Sequence, residues 1–277
     1  VHTKEPYAKR TSHGMILGKN PHYVGNAKTE EEKQALREKY GAQAERPAVK
    51  MSKSLGNVVN PDDVIKAYGA DTMRLHIMFI GDFEKAVSWS NEAVKGSKRF
   101  LDRVWNLAES CSDSLDHTPA NEPALHKCIR KVADDIEAMK FNTAIAALMA
   151  LVNDFYQNGC SKGDYAALLL MLSPFAPHMV EELWETLGFA AEKGGMACQQ
   201  SWPAYDASKT VASSVEMAIQ VNGKMKGTVT MPVDSDEESV KAAALTVDKV
   251  QKATEGMQIV KTILVKNRLI NLIVKPQ

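Results

Sequence analysis

The stretch that decides how this chain is read runs from Lys50 to Arg74, KMSKSLGNVVNPDDVIKAYGADTMR. Its first eight residues hold two Lys, two Ser and a Gly, lie between Pro47 and Pro61, and carry no apolar period, so they are predicted to form a polar, flexible loop. Just beyond it, Asn60 is placed to cap a helix and Pro61 to take the first helical position. Asp62 and Asp63 fall in the first turn, where the helix dipole favours negative charge. That helix is predicted to end at Gly69, with Asp71 capping the next one and Met73, Leu75, Ile77 and Met78 as its apolar positions. Two ammonium groups and two hydroxyls on such a loop, beside a helix N-terminus, can close over a triphosphate and neutralise charge on a leaving pyrophosphate. The same composition also describes an ordinary solvated loop.

Upstream, His13 to Gly18 is a short apolar run between glycines and reads as a strand or strand junction. Thr29 and Glu32 have capping-box spacing, and the charged helix they open runs to Tyr40, with Gly41 behind it, as a solvated surface element. Downstream, Asn91 to about Ser110 is helical. Leu101, Val104, Trp105 and Ala108 share one face, and Lys95, Arg99 and Arg103, flanked by Lys98, recur on another. That second face is either a solvated helix surface or a contact for RNA phosphates. The 3.6 period continues through 125–139, 142–157 and 165–187, with Ile145, Leu148, Val152 and Phe155 in one stripe, Met179, Leu183 and Leu187 in another, and a break at Pro174 and Pro177. Helices with short links predict a bundle. Gly188 to Ser214 has no sustained period and reads as a linker.

Past Ser214 the period becomes two: Met217, Ile219 and Val221 alternate, Asn222-Gly223 is a hairpin turn, and Met225, Val229 and Met231 follow. A helix over 234–253 and strands over 259–266 and 268–275 complete a predicted ββαββ domain. Lys224, Lys226, Lys266 and Arg268 flank its two turns. If the turns lie together they make a basic tip; if not, the four are edge residues that block strand addition.

Composition bounds the rest. The chain has 277 residues, 44% hydrophobic and 25% charged, with 16 Gly and 11 Pro, which excludes collagen and low-complexity disorder. Lys plus Arg and Asp plus Glu balance at 34 each, but residues 1–60 carry 11 and 6, residues 61–213 carry 14 and 21, and residues 214–277 carry 9 and 7. A polyanion contact must therefore come from local patches. The longest apolar run, Ala144 to Val152, is too short for a membrane span, and Val1 to Pro6 lacks a signal-peptide core, so a cytoplasmic chain with no membrane contact is expected. Cys111, Cys128, Cys160 and Cys198 lie 17, 32 and 38 residues apart, a spacing that suggests neither a disulfide framework nor a zinc site. His76, His117, His126 and His178 have no metal-ligand spacing, and no metal residue is assigned. Met139, Met149, Met171, Met179, Trp105 and Trp184 are read as core.

The quoted stretch resembles the signature region of class I aminoacyl-tRNA synthetases of the leucine, isoleucine and valine branch. SPFAPHMVEELWETLG at Ser173 to Gly188 resembles a helix of their anticodon-binding bundle. The tail, from Ile219-Gln220-Val221-Asn222-Gly223-Lys224 to Asn271-Leu272-Ile273-Val274, is similar to the small C-terminal domain of the bacterial-type leucine members. A sister specificity, isoleucine or valine, and an autonomous RNA-binding module in which the loop is a relic, remain the alternatives.

The resemblance implies a mainly α chain with α+β ends: the end of a nucleotide-binding catalytic domain with its KMSKS loop (1–90), a helical anticodon-binding bundle and linker (91–213), and a small α+β tRNA-binding domain (214–277). It implies ATP as a substrate, with Mg2+, at Lys50, Met51, Ser52, Lys53 and Ser54; Lys50 and Lys53 would be catalytic, through contacts to the phosphates. Leucine tRNA isoacceptors would meet Lys95, Lys98, Arg99 and Arg103 on the bundle and Lys224, Lys226, Lys266 and Arg268 in the tail. No His-x-Gly-His signature, long nucleotide-binding half or editing insertion is found. The expected partners therefore include upstream catalytic and editing domains, and this portion alone should bind no cofactor tightly and be inactive.

Overall fold

Local capping chemistry opens several of the helices in the computed structural model, which describes residues 7, 10–210 and 214–276. Residues 1–6, on which the absence of a signal-peptide core was read, and residues 211–213 of the expected linker lie outside the described residues. Thr29 and Glu32 form the reciprocal capping box that opens α1 (Glu30–Tyr40), a helix with no buried residue. It sits between the short strands β1 (Ile16–Lys19) and β2 (Ala48–Lys50). Asn60 caps α2 (Pro61–Tyr68) by accepting from the Asp62 N–H, Pro61 stands in the first turn, and Gly69, at φ 91°, separates α2 from α3 (Ala70–Phe79). With β3 (Val87–Ser88), the first sheet has the order β2-β1-β3, β1 antiparallel to β2 and parallel to β3.

The helices that follow are α4 (Asn91–Leu107), α5 (Glu122–Glu137), α6 (Phe141–Asn158), α7 (Lys162–Leu172), α8 (Pro177–Thr186) and α9 (Phe189–Lys193). Helix α7 is apolar around its circumference and buries eight of its residues, which makes it the central helix. The stripe Ile145, Leu148, Val152 and Phe155 packs in the same core as Trp184, and Leu75 of α3 joins it, so the bundle core begins ahead of residue 91. The segment expected as a plain linker is partly packed: Phe189 and Ala197 are buried, and the Glu181 carboxylate accepts the Ala197 and Cys198 N–H groups, each at 2.8 Å. Trp105 departs from its expected core role. It is 43% exposed because it sits at the edge of the α4 apolar face, beside Lys98.

Asp71 also departs from expectation. It caps no helix of its own; its carboxylate accepts the Met179 N–H at 2.7 Å and pairs with His178 Nδ1 at 2.7 Å, and so caps the start of α8 from α3. Arg74 Nη2 donates to Pro174 O at 3.0 Å, fixing the α7–α8 turn from the same helix.

The chain divides into two compact units, Val1–Asp206 and Ala207–Gln277. The second holds β4 (Ser214–Val221), β5 (Lys224–Pro232), α10 (Glu237–Ala244), α11 (Asp248–Thr254), β6 (Met257–Val265) and β7 (Leu269–Pro276), in a sheet of order β5-β4-β7-β6. The single helix expected over 234–253 is two helices. On one straight helix Val250 would point about 120° away from Ala244; the break at Leu245–Val247 lets Val240, Ala244 and Val250 all bury against Met217, Ile219, Ile270 and Leu272.

Asp164 carries the largest polar burden in the bundle. It is fully buried and opens α7 in a capping box with Ser161; its carboxylate accepts from Thr118 N, Asn121 Nδ2 and Ser161 N and faces His117 Nδ1 at 3.3 Å. Burial alone raises its pKa, and the hydrogen bonds from His117, Thr118, Asn121 and Ser161 reverse that, pushing it down to about 2. A depressed folded-state pKa stabilises fully above the ordinary value near 3.8, and the contribution is lost as pH falls through about 2. Asp164→Ala is expected to cost about 3 kcal/mol at pH 7, by orphaning several donors, and less as the pH drops from 4 toward 2. Urea titrations of both proteins across that range check both statements.

Candidate active-site loop and nucleic-acid face

Lys50 closes β2, and its place is fixed by the pairing Leu17↔Lys50, Gly18↔Val49 and Lys19↔Ala48. Beyond it, Ser52 caps a single 3-10 turn, Lys53–Leu55, its Oγ accepting the Leu55 N–H at 3.2 Å and lying 3.0 Å from Ser54 Oγ. Gly56 ends the turn at φ 62°. The loop is closed by Asn57, whose Oδ1 accepts the Ser52 N–H at 2.8 Å while its Nδ2 donates to Lys19 O at 3.1 Å and Lys50 O at 3.4 Å. One carboxamide thus ties both ends of the loop to β1. Gly18 permits this approach, since a Cβ there would lie 2.3 Å from Asn57 O and 3.0 Å from Met51 Cγ. Neither Asn57 nor Gly18 was singled out from the sequence, although Asn57 stands inside the quoted stretch.

Lys50, Lys53 and Ser54 are exposed, and Met51 and Ser52 half-buried. Lys50 and Ser52 line a hollow of about 410 Å³ together with Arg46 and Gln43; Lys53 and Ser54 are not among its walls. A larger hollow of about 730 Å³ lies across β1, walled by Asn20, Asn57, Trp89, Asn91 and Glu92. Its two charged wall residues, Lys19 and Glu92, are opposite in sign, whereas the smaller hollow has two cations, Arg46 and Lys50, and no acid, which favours phosphate there. Among the described residues no group of three or more His, Cys, Asp or Glu could hold a metal, and the ammonium and hydroxyl groups of the loop do not make a Mg2+ site. His76 is buried against Trp89, edge to face at 4.9 Å between centroids, and burial pushes its pKa down, so it stays neutral.

On α4 the four expected cations differ. Lys95 pairs with Glu92 at 2.7 Å and Lys98 with Asp102, both within the helix. Arg103 lies over the Tyr156 ring at 4.9 Å, and Tyr156 Oη donates back to Arg103 O at 2.8 Å. Arg99 is exposed. In the second unit the basic tip that would form if the two turns met is absent. Because β4 and β7 run parallel with Ala218↔Leu269 and Val221↔Leu272, the turn after β4 and the turn before β7 fall at opposite ends of the sheet. Lys224 and Lys226 are therefore near one end and Lys266 and Arg268 at the other, where Asn267 and Asp234 bond each other reciprocally at 2.8 and 3.0 Å.

Comparison with known proteins bears on this arrangement. Residues 42–90 match the family model of tRNA synthetases class I (I, L, M and V), and residues 123–242 match that of the anticodon-binding domain of tRNA ligase. Leucine–tRNA ligase of Alkaliphilus oremlandii (strain OhILAs) is 47% identical over 272 residues. The chain is a leucine–tRNA ligase homologue. The match covers 98% of the chain and 30% of that ligase. Among solved structures, the agnB2 LeuRS of Agrobacterium radiobacter K84, in a ternary complex with tRNA and LeuAMS, aligns with a TM-score of 0.54 at 30% identity, covering 82% of this homologue and 32% of that chain. The class I match takes in the loop and both helices after it. The α4 cations fall between the two matched stretches, and about half of the second unit, from residue 243 on, lies beyond them.

Asn57→Ala removes three hydrogen bonds from a half-exposed loop outside the main core. Amide exchange at Ser52 is expected to speed up roughly tenfold, from about 1.4 kcal/mol of lost local protection, with the urea midpoint of the bundle unchanged. Hydrogen exchange resolved to residues 50–57 reads this directly.

Proposed function

We propose that this homologue is the C-terminal portion of a leucyl-tRNA synthetase, supplying the Lys50–Ser54 loop to the ATP site and the helical and α/β units to tRNA. The observation that carries the reading is the 47% identity to a leucine–tRNA ligase along 98% of the chain. In that reaction the leucine carboxylate attacks the α-phosphorus of ATP, the bond to the β-phosphate bridging oxygen breaks, and pyrophosphate leaves; a hydroxyl of the terminal tRNA ribose then displaces AMP from the leucyl carbonyl. No covalent enzyme intermediate is required, so the chain contributes position and charge. Lys50 and Lys53 meet the negative charge that gathers on the departing pyrophosphate. Ser52, through its cap, and Met51, against Gly18, hold the loop that carries them. Mg2+ arrives with the nucleotide phosphates rather than at residues of this loop.

For tRNA, the α4 face and the two basic ends of the second unit supply backbone contacts. Arg99 and Arg103 contribute more than Lys95 and Lys98, whose charges are already paired within the helix. The chain works in the cytoplasm with the other domains of its enzyme; among the described residues no helix is long and apolar enough to cross a membrane.

Binding of the purified chain to leucine tRNA isoacceptors, by filter retention across a salt series, tests the docking role. Wild type is expected to show a negative slope of log affinity against log salt, and Arg99→Glu with Arg103→Glu to weaken binding about tenfold or more and flatten the slope by about one to two phosphates. Lys95→Ala is expected to change little. Equal binding by wild type and the double variant would remove α4 from the interface. The chain alone is expected to catalyse no leucine-dependent exchange of pyrophosphate into ATP, and exchange by the purified chain would overturn the division of labour proposed here.

A further inference from the structure

The segment leaving α4 and the segment entering α7 run side by side. Ser112 N donates to Cys160 O at 2.8 Å, Lys162 N to Ser112 O at 2.9 Å and Gly163 N to Ser114 O at 3.1 Å, so that Ser112 and Ser161 pair as a parallel bridge. An ion pair of Lys162 Nζ with Asp113 Oδ1, at 2.9 Å, holds the same edge. One residue back in this register stand Cys111 and Cys160, whose thiols donate to backbone carbonyls, Cys111 Sγ to Leu107 O at 3.3 Å and Cys160 Sγ to Ser161 O at 3.4 Å. Paired strands lie about 4.8 Å apart, inside the span of about 4.4–6.8 Å between Cα atoms that a disulfide bridges. Both cysteines are free, Cys111 half-exposed and Cys160 buried.

We infer that Cys111 and Cys160 are a covalent modification site, an oxidisable pair that a peroxide closes into an intramolecular disulfide. The accessible Cys111 reacts first: its thiolate sulfur attacks one peroxide oxygen, the O–O bond breaks, and the departing hydroxide takes up the thiol proton as water, leaving a sulfenic acid. The Cys160 thiol sulfur then attacks the sulfenic sulfur, the S–S bond forms, and the hydroxyl leaves with the Cys160 proton as a second water. Two thiols lose one electron each, and one peroxide is reduced to two waters. The neighbouring Cys111 thiol and burial both push the Cys160 thiol up, which keeps it protonated and leaves the first attack to its partner. The bridge already holds the backbone in place, so closure needs only side-chain rotation. Closure would confine residues 112–159, including α5 and α6, within a covalent loop.

The test uses the full chain carrying Cys198→Ser, which removes the exposed competing thiol. After hydrogen peroxide treatment of the folded protein, free thiols are alkylated in denaturant and the intact mass and peptides read by mass spectrometry. The expected result is a loss of two hydrogens, one alkylated cysteine, Cys128, in place of three, and a linked peptide pair carrying Cys111 and Cys160 that dithiothreitol separates. The oxidised protein should also melt at a higher temperature than the reduced one. In Cys160→Ser, with folding checked by circular dichroism, Cys111 should instead pass on to sulfinic acid, because no neighbour captures the sulfenate. Three alkylatable thiols after peroxide, sulfinic acid at Cys111 while Cys160 is present, or a linkage to Cys128 would each overturn the assignment.

Discussion

The carboxylate of Asp71 holds the two halves of the first unit in register. Helix α8 begins at Pro177 behind Ala176, which offers no side-chain cap, so its first N–H groups would face the interior without an acceptor. Asp71 supplies that acceptor from α3, two elements beyond the loop at Lys50, and Arg74 binds the Pro174 carbonyl one turn further along. A buried carboxylate must be paired or hydrogen-bonded, which makes the contact specific in angle as well as energy. Because α3 follows α2 with only Gly69 between them, the same contact sets where the loop-bearing segment sits on the bundle.

The loop itself is not a free tether. Asn57 fastens it to β1, and Ser52 and Gly56 shape its one turn, so that the backbone is fixed while the Lys50 and Lys53 ammonium groups stay exposed. A charge presented on an ordered backbone loses less entropy when it meets an anion than the same charge on a disordered segment. The bundle treats its cations differently, pairing Lys95 and Lys98 with acids on their own helix and setting Arg103 over Tyr156. In the second unit the parallel pairing of β4 with β7 distributes charge to both ends of a sheet whose one face is filled by α10 and α11.

Much of this was legible in advance where the cause is local. The capping box at Thr29, the Asn60-Pro61 start, the break at Pro174 and Pro177, the Asn222-Gly223 turn and the stripe from Ile145 to Phe155 each follow from residues within a turn or two of one another. The candidate loop was legible for the same reason, as a run of Lys, Ser and Gly between prolines. Asn57 was not, because its acceptors include Lys19, 38 positions away. Trp105 was misread because periodicity fixes a face to within a residue and not the width of its buried stripe. Asp71 was misread because a helix-start acid looks alike whether it caps its own helix or another, here 108 positions on.

By itself, the sequence determined the element types, the change of period from helix to strand after Ser214, and the cationic loop, since these depend on backbone preferences and side-chain chemistry over short spans. The tertiary structure alone decided which groups meet: Asp71 with α8, Asn57 with β1, Cys111 beside Cys160, and the two hairpin turns at opposite ends of their sheet. Those meetings depend on the register and direction of segments far apart in the chain, which no local preference encodes, because they are set by the packing of the core as a whole.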